Sequence, residues 1–310
     1  ANIKVYIKLK NIINKNKYSL IHVHSPIGGF LTRLAAIRAR RKGTRIIYTA
    51  HGFHFFKGAS LINWFVFYPI EYILSFVTDT IITINKEDYK RAQDFHAVNV
   101  VYIPGVGVNI NKISSVKVNV DEKKKELGIP LNAFIVLSVG ELSKRKNHEV
   151  IIRAISLINR SNIYYVICGK GDEEVHLREL SISLGISDRV LLLGFRTDIA
   201  EIIQIANCFA FPSKREGLGI AAIEAMSVGL PIITSNLNGI LDYSINGKTG
   251  FVCAPNDYRC FSRAIIELYT NDNLVMKIKE YNLESSKQYD IFNVNGIMRL
   301  IYSDILGLQP

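Results

Sequence analysis

A chain of 310 residues that is 48% hydrophobic and 21% charged is long enough, and apolar enough, to bury two separate cores. Its 38 basic against 27 acidic residues give a net charge of +11, which points to an anionic partner such as a nucleotide, a membrane surface or a nucleic acid. No apolar run reaches bilayer-spanning length, no signal peptide opens the chain, and no RNA-binding signature or zinc-finger spacing is present, so nucleic acid is not an expected partner.

In chain order, strand-like and helix-like segments alternate throughout, the pattern of parallel sheets with helices on both faces. Residues 20–24 read as the first strand, followed by a helix over 29–41 and a strand over 45–50. An aromatic helix over 61–76, a strand over 80–84, a polar helix from Lys86 and a strand over 100–103 complete the first set. Pro104 to Gly107 interrupts the pattern, and a polar, lysine-bearing stretch runs on to Pro130. The first domain is therefore set at 1–118 and the second at 119–290. The second domain continues the alternation, with strands over 134–139, 163–168, 189–193, 208–212 and 231–235. Its helices are read over 149–158, 173–184, 199–206 and 259–269, and a last helix over 292–306.

Arg33, Arg38, Arg40, Arg41 and Lys42 form a dense basic stretch, followed by Phe53, Phe55, Phe56 and Lys57 and then Trp64, Phe65, Phe67 and Tyr68. Cations beside aromatics suit the interface of an anionic bilayer; they equally suit a solvated helix face beside an aromatic core. His22 and His24 alternate onto one strand face, but no third ligand accompanies them, so no metal is expected. Cys168 and Cys208 fall in apolar strand-like runs, where a thiol packs as a small hydrophobe. With Cys253 and Cys260 they show no C-x-x-C pairing, and a reducing cytoplasmic setting fits.

The segment from Pro212 to Met226 carries the most chemistry. Glu216 and Glu224 flank a glycine-punctuated turn that leads from the predicted strand into an Ala-rich helical pattern. A strand, a Gly loop and a helix start together make an anion site, because unpaired N–H groups and the helix dipole face whatever docks there. Glu224 would lie about 7 Å along the helix axis, so the two carboxylates would span a sugar and a ribose. The spacing alone also fits a loop charge and a solvated helix residue.

Glu216, Gly217, Leu218, Gly219 and the later Glu224, Ala225, Met226 resemble the E-x7-E signature of retaining nucleotide-sugar glycosyltransferases of family 4, which have the two-lobed GT-B fold. Three further segments match in order: Ser138 to Asn147, the glycine turn and phosphate-binding Lys; Leu193 to Asp198, the loop facing the base; and Ile245 to Phe251 with Ala254 to Asp257. Tyr48 to His54 and Ile82 to Lys86 resemble the acceptor-side lobe of bacterial polysaccharide-assembly members. The implied fold class is α/β, with two Rossmann-like domains in the GT-B arrangement. The implied first lobe opens with two more strand–helix units and a glycine-rich loop ahead of Leu20, so it is expected to be incomplete here. Residues 291–310 are expected to return to that first lobe.

The resemblance implies a donor site in which Lys146 meets the diphosphate, Glu216 the hexose hydroxyls and Glu224 the ribose diol, since an ionised carboxylate can accept two hydroxyls at once. Gly140 and Gly169 let backbone approach the nucleotide, and Gly217, Leu218, Gly219 and Ile220 present N–H groups to the phosphates. Phe195 and Arg196 line the base pocket, and His51 serves the donor sugar and leaving phosphate from the other lobe. Family members usually carry an Arg directly after the turn glycine. Here Glu141 follows Gly140, which removes one cation, and Arg145 is expected to point elsewhere. The implied partners are a nucleotide-sugar donor, with UDP expected, and a lipid-linked saccharide acceptor in capsule, exopolysaccharide or O-antigen assembly. The implied setting is the inner face of the plasma membrane, with no cofactor and no metal. A UDP-sugar 2-epimerase of the same fold, and a non-catalytic nucleotide-sugar-binding module, are the alternative readings.

Overall fold

The fold is described from a computed structural model, over residues 2–56 and 58–308. The described chain divides into two compact units, one made of the chain up to Gly107 together with Ile291 onward, the other of Val108–Asp290.

In the first unit, α1 (Asn2–Asn16) precedes β1 (Leu20–His24), α2 (Pro26–Arg40), β2 (Arg45–Ala50), α3 (Leu61–Ser75), β3 (Thr80–Thr83), α4 (Lys86–Ala92) and β4 (Asn99–Tyr102). The four strands pair in parallel in the order β1-β2-β3-β4. The β3 strand is buried at every position, as expected of a parallel strand covered on both faces. Helix α1 lies outside the sequence expectation. Its residues Ile3, Val5, Ile7 and Leu9 alternate like a strand, whereas Tyr6, Leu9 and Ile13, at helical spacing, are the ones that pack against Ala35, Ala36 and Ala39 of α2.

A buried ion pair locks α2 to α3. Arg33 is 0% exposed, its Nη2 lies 2.8 Å from Glu71 Oε2, and its guanidinium sits 4.0 Å from the Tyr48 ring centroid. Gly29, one turn earlier, has no room for a side chain because a Cβ there would meet the Tyr48 ring at 2.8 Å. Arg40 is also engaged, with Nε and Nη2 at 3.2 and 3.1 Å from Asp79. The basic stretch read from the sequence is thus broken up: Arg33 neutralises a core carboxylate, Arg40 pairs beside the sheet, and Arg38, Arg41 and Lys42 remain exposed. The aromatic cluster is divided as well. Phe53 and Phe55 are core, and Trp64, Phe67 and Tyr68 pack against them, while Lys57 lies outside the described residues.

The second unit contains α5 (Ile110–Ser114), α6 (Val120–Glu126), β5 (Phe134–Val139), α7 (His148–Ser156), β6 (Ile163–Cys168), α8 (Glu174–Ser183), β7 (Val190–Leu192), α9 (Ile199–Ile205) and β8 (Cys208–Phe211). It continues with α10 (Ile220–Met226), β9 (Ile232–Ser235), β10 (Gly250–Cys253), α11 (Tyr258–Thr270) and α12 (Asp272–Ser285). Its six strands are parallel in the order β10-β9-β8-β5-β6-β7. Isoleucines from α7 and the residues Phe261, Ile265 and Leu268 of α11 share its core with β5, β6 and β8. The short helices α5 and α6, the strand β10 and the helix α12 were not legible from periodicity. Each of the first three spans at most two turns or four residues, too few for a repeat to register.

Cys253 and Cys260 form a disulfide across the turn from β10 into α11, a C-x6-C spacing that a search for C-x-x-C passes over. Cys168 and Cys208 are buried free thiols, as expected. The chain then enters α13 (Ile291–Leu306), which belongs to the first unit and places the Tyr302 hydroxyl 2.7 Å from His22 Nδ1. Among the described residues, no helix is long and apolar enough to cross a membrane, and no group of three or more His, Cys, Asp or Glu residues is arranged to hold a metal ion.

Replacing Glu71 with Ala leaves a buried guanidinium without its counter-ion. The expected loss is about 3 kcal/mol of stability in the first unit. It would be read as a lower denaturant midpoint in the fluorescence of Trp64, the single tryptophan, which lies in that unit.

Candidate active site

The strand order of the second unit dictates where a ligand can dock. From β5 the chain winds to β6 and β7 on one side, then returns to β8 on the other side of β5. Loops leaving the carboxyl ends of β5 and β8 therefore diverge, and such a switch point opens a crevice at the end of an α/β sheet. The loop after β5 carries Gly140 to Asn147, and the loop after β8 carries Pro212 to Gly219.

Backbone-directed contacts tie these loops to each other and to the turn after β10. Asn147 Nδ2 donates to the carbonyls of Pro212 (3.0 Å) and Pro255 (2.8 Å), and Lys214 N–H donates to Arg145 O at 2.8 Å. At the centre, Glu216 Oε1 accepts from Lys146 Nζ at 2.7 Å and from Arg145 Nη1 at 2.8 Å. Lys146 and Glu216, chosen separately from the sequence, are thus brought together. Arg145 corrects the expectation that it points elsewhere: it reaches the same carboxylate oxygen as Lys146, and its Nη1 also donates to Arg215 O at 3.2 Å. Lys146 is held over the Phe211 ring, 4.7 Å from its centroid, which fixes the long side chain by cation–π attraction.

The glycines act by absence of bulk. A Cβ on Gly169 would fall 1.8 Å from the Gly140 carbonyl oxygen, so these two turns pass in direct backbone contact. Gly140 N–H donates to Cys168 O and Gly169 N–H to Gly194 O, which ties the loops after β5, β6 and β7 into one rim. Gly219 has φ 92°, left-handed geometry that glycine adopts freely, and precedes α10 with no side-chain cap. A Cβ there would meet the Phe211 ring at 2.4 Å and the Tyr243 hydroxyl at 2.9 Å. Leu218 is buried beneath this turn, Gly217 lies within it, and Ile220 opens the helix partly exposed.

Glu224 occupies the fifth position of α10. Its carboxylate is half-buried and has no hydrogen-bond partner among the described residues; burial raises its pKa, which Lys112 of α5 opposes. Phe195 is 71% exposed on the rim. Arg196, by contrast, is turned to acidic neighbours: Nε lies 2.8 Å from Asp198 Oδ1 and Nη2 lies 2.8 Å from Glu126 Oε1. That contact holds the Asp198 carboxyl well below the usual carboxylate range. Lys123 reaches the same acidic group, so Arg196 is part of a surface charge network.

His51 lies in the first unit, at the end of β2, where it follows Ala50. Its Nε2 is 3.0 Å from His24 Nδ1, and partial desolvation followed by His24 lowers its pKa.

Asn147, Arg145 and Tyr243 are the site residues that sequence reasoning missed. Asn147 has φ 60°, a left-handed position that Asn tolerates better than most residues, and this was the available signal in an otherwise basic run. The Tyr243 hydroxyl is buried with no hydrogen-bond partner among the described residues; burial and then Glu216 raise its pKa.

Comparison with known proteins places these features. Residues 119–285 match the family model described as glycosyl transferases group 1, and residues 1–85 match that described as glycosyl transferase 4-like. EpsD of Bacillus subtilis is 36% identical over 313 aligned residues, covering 99% of this chain and 82% of EpsD. The Escherichia coli UDP-Gal:alpha-D-GlcNAc-diphosphoundecaprenol alpha-1,3-galactosyltransferase is 30% identical, covering 94% of this chain and 76% of that protein. Among solved structures, Anabaena HepE in complex with UDP superposes with a TM-score of 0.86 at 20% identity, over 97% of this chain and 82% of HepE. That likeness establishes the two-domain α/β GT-B fold.

His148 braces the Gly140 turn from below, with Nδ1 3.0 Å from the Tyr165 hydroxyl and Nε2 3.2 Å from Glu141 O. Burial lowers its pKa from 6.5 to about 4. The folded value lies below the unfolded one, so its contribution to stability is full above pH 6.5 and is lost as pH falls through about 4. Calorimetric scans of the second unit's transition should show a loss of about 3 kcal/mol across that window. His148→Gln should flatten the dependence.

Proposed function

The chain belongs to the glycosyl transferases group 1 family, and on that premise we propose that it moves a hexose or N-acetylhexosamine, with retention, from a UDP-sugar to a lipid-linked saccharide in cell-surface polysaccharide synthesis. The observation that carries the donor reading is Glu224. Among the described residues this half-buried carboxylate has no hydrogen-bond partner, only the charge of Lys112 offsets its lost hydration, and a ribose diol supplies the two donors it lacks. Glu216 supports the sugar half: Oε1 takes both cations, which leaves Oε2 for a sugar hydroxyl.

Transfer breaks the bond between the anomeric carbon and the diphosphate oxygen, and forms one to the acceptor oxygen on the same face. The acceptor proton passes to the departing phosphate. Negative charge grows on that phosphate, and Lys146 and Arg145 are the cations positioned to meet it. A preorganised pair costs no reorganisation as the charge develops, which is why such cations contribute more than mobile ones. Arg145 thereby replaces the cation absent at Glu141. We assign Phe195 to the base and the N–H groups of Gly217 to Ile220 to the phosphates, and His51 to the sugar and leaving phosphate. The choice of UDP and of a lipid-linked acceptor rests on the E. coli relative, whose name specifies both.

The membrane reading keeps part of the aromatic stretch, Phe65, and extends it along one helix. Helix α3 and its C-cap expose Leu61, Ile62, Phe65, Val66, Ile73 and Phe76, and the only charged residue of α3, Glu71, is buried. A continuous apolar helix face of this kind is costly in water. We place it against the cytoplasmic leaflet that holds the acceptor lipid, with Arg38, Arg41 and Lys42 among the exposed cations of the same unit.

Two measurements test these assignments. UDP at a hundred times its dissociation constant should stabilise the protein by about 2.7 kcal/mol, visible as a raised melting temperature. GDP and ADP should shift it less, Glu224→Ala should abolish the UDP shift, and Arg145→Met or Lys146→Met should each reduce it. Equal shifts with all three nucleotides would remove the UDP assignment. In co-sedimentation with phosphatidylglycerol-containing vesicles, Ile62→Glu combined with Phe65→Glu should cut binding by about tenfold or more. Unchanged binding would remove α3 from the membrane reading.

A further inference from the structure

The carboxyl ends of β1 and β2 carry a row of three histidines whose chemistry is not exhausted by the role given to His51. His22 and His24 share one face of β1, and their ring centroids are 4.3 Å apart. His22 is fixed at both nitrogens, with Nδ1 2.7 Å from the Tyr302 hydroxyl and Nε2 2.7 Å from Thr49 Oγ1. It cannot turn, and burial, aided by His24 and His51, lowers its pKa to about 4, so it presents a neutral ring to its neighbour. His24 lies beside that ring, its plane tilted by 34°, and brings Nδ1 to 3.0 Å from His51 Nε2. The His24 and His51 rings lie with centroids 5.2 Å apart and planes 30° from parallel.

A contact between two imidazole nitrogens has a strict consequence. Each neutral ring carries one N–H, and a hydrogen bond between Nδ1 of one and Nε2 of the other has room for one proton. The tautomers of the two rings are therefore coupled. If His24 donates, His51 accepts at Nε2 and carries its own proton on Nδ1. If His51 donates from Nε2, its Nδ1 becomes an acceptor. Only the first arrangement leaves His51 with an N–H to offer a departing phosphate oxygen or a sugar hydroxyl.

We propose that His24 is the positioning residue of His51: its Nδ1–H donates to His51 Nε2, keeps the His51 proton on Nδ1, and holds the ring in place through its own contact with His22. The inference rests on the assignment of His51 to sugar transfer made above. The support runs in one direction, from Tyr302 on α13 to His22, from His22 to His24, and from His24 to His51. A purely packing role for His24 would need its ring but not its nitrogens, and that difference is what an experiment can read.

The test is nitrogen NMR of the imidazole rings in the full chain at pH 7.5, paired with turnover measured as UDP release. His51 should be found protonated on Nδ1. In His24→Phe, which keeps a ring and removes both nitrogens, His51 should shift toward the Nε2–H form. There kcat should fall by about ten- to a hundredfold, with KM for the donor unchanged, the size typical of losing a group that orients a reactive histidine. His24→Asn places an amide near the position of Nδ1 and should restore both the Nδ1–H form and most of kcat. An unchanged His51 tautomer in His24→Phe overturns the inference, as does full activity in that variant with the tautomer altered. If the tautomer moves and His51→Ala is itself fully active, the coupling stands and the assignment of His51 to transfer falls.

Discussion

The Glu216 carboxylate, holding Lys146 at 2.7 Å and Arg145 at 2.8 Å on one oxygen, is the constraint around which the second unit's crevice is organised. Two adjacent cations would repel each other and splay into solvent without it. With it, they are folded toward the switch point and kept within a few ångströms of the loop that leaves β8. The backbone arrangements follow from the same need. Asn147 takes a left-handed conformation so that its amide can bind Pro212 and Pro255, and Lys214 N–H closes on Arg145 O. Arg145 Nη2 also lies 3.8 Å from Glu141 Oε2, so the two cations of this crevice are matched by two carboxylates and held in order by them.

The first unit uses buried charge for a different purpose. Arg33 and Glu71 are too deep to meet a ligand; they set the approach of α2 and α3 to the sheet and make the strandward face of α2 specific at Gly29. Buried pairs contribute little net stability compared with apolar packing, but they penalise any arrangement that separates the partners. Beneath the Arg33–Glu71 pair, β1 and β2 pair in parallel, Leu20 with Arg45 through His24 with Thr49, and this register brings the imidazoles of His22, His24 and His51 into one row.

Much of this was legible in the sequence because parallel strands buried on both faces read as short apolar runs. Residues 45–50, 134–139 and 163–168 were bounded as found, and Glu216 and Lys146 were identified from loops that the topology then joined. What stayed hidden depends on partners remote in sequence. Arg145 is adjacent to Lys146, and a loop or helix start normally sends neighbours apart; the turn over Ser143 to Lys146 folds both onto one carboxylate 70 residues away. Charge counting could not distinguish Arg33, whose counter-ion is 38 residues distant, from Arg38, which has solvent. The Glu126 contact of Arg196 was equally out of reach, because its partner is 70 residues away. Helix α1 has a mixed period that only its contact face resolves.

The second unit is an insertion within the first. The chain leaves the first unit at Gly107 and re-enters at Ile291, and the two crossings run side by side, with Val108 N–H donating to Tyr289 O and Gly107 lying against Ile291. On a ribosome, where sequence emerges from one end, this imposes an order of events. The second unit is contiguous and can close on itself as soon as Asp290 has cleared the exit, whereas the first unit needs α13, which is made later. The hydroxyl that fixes His22 belongs to α13, so the histidine row acquires its geometry only after the whole second unit has been made.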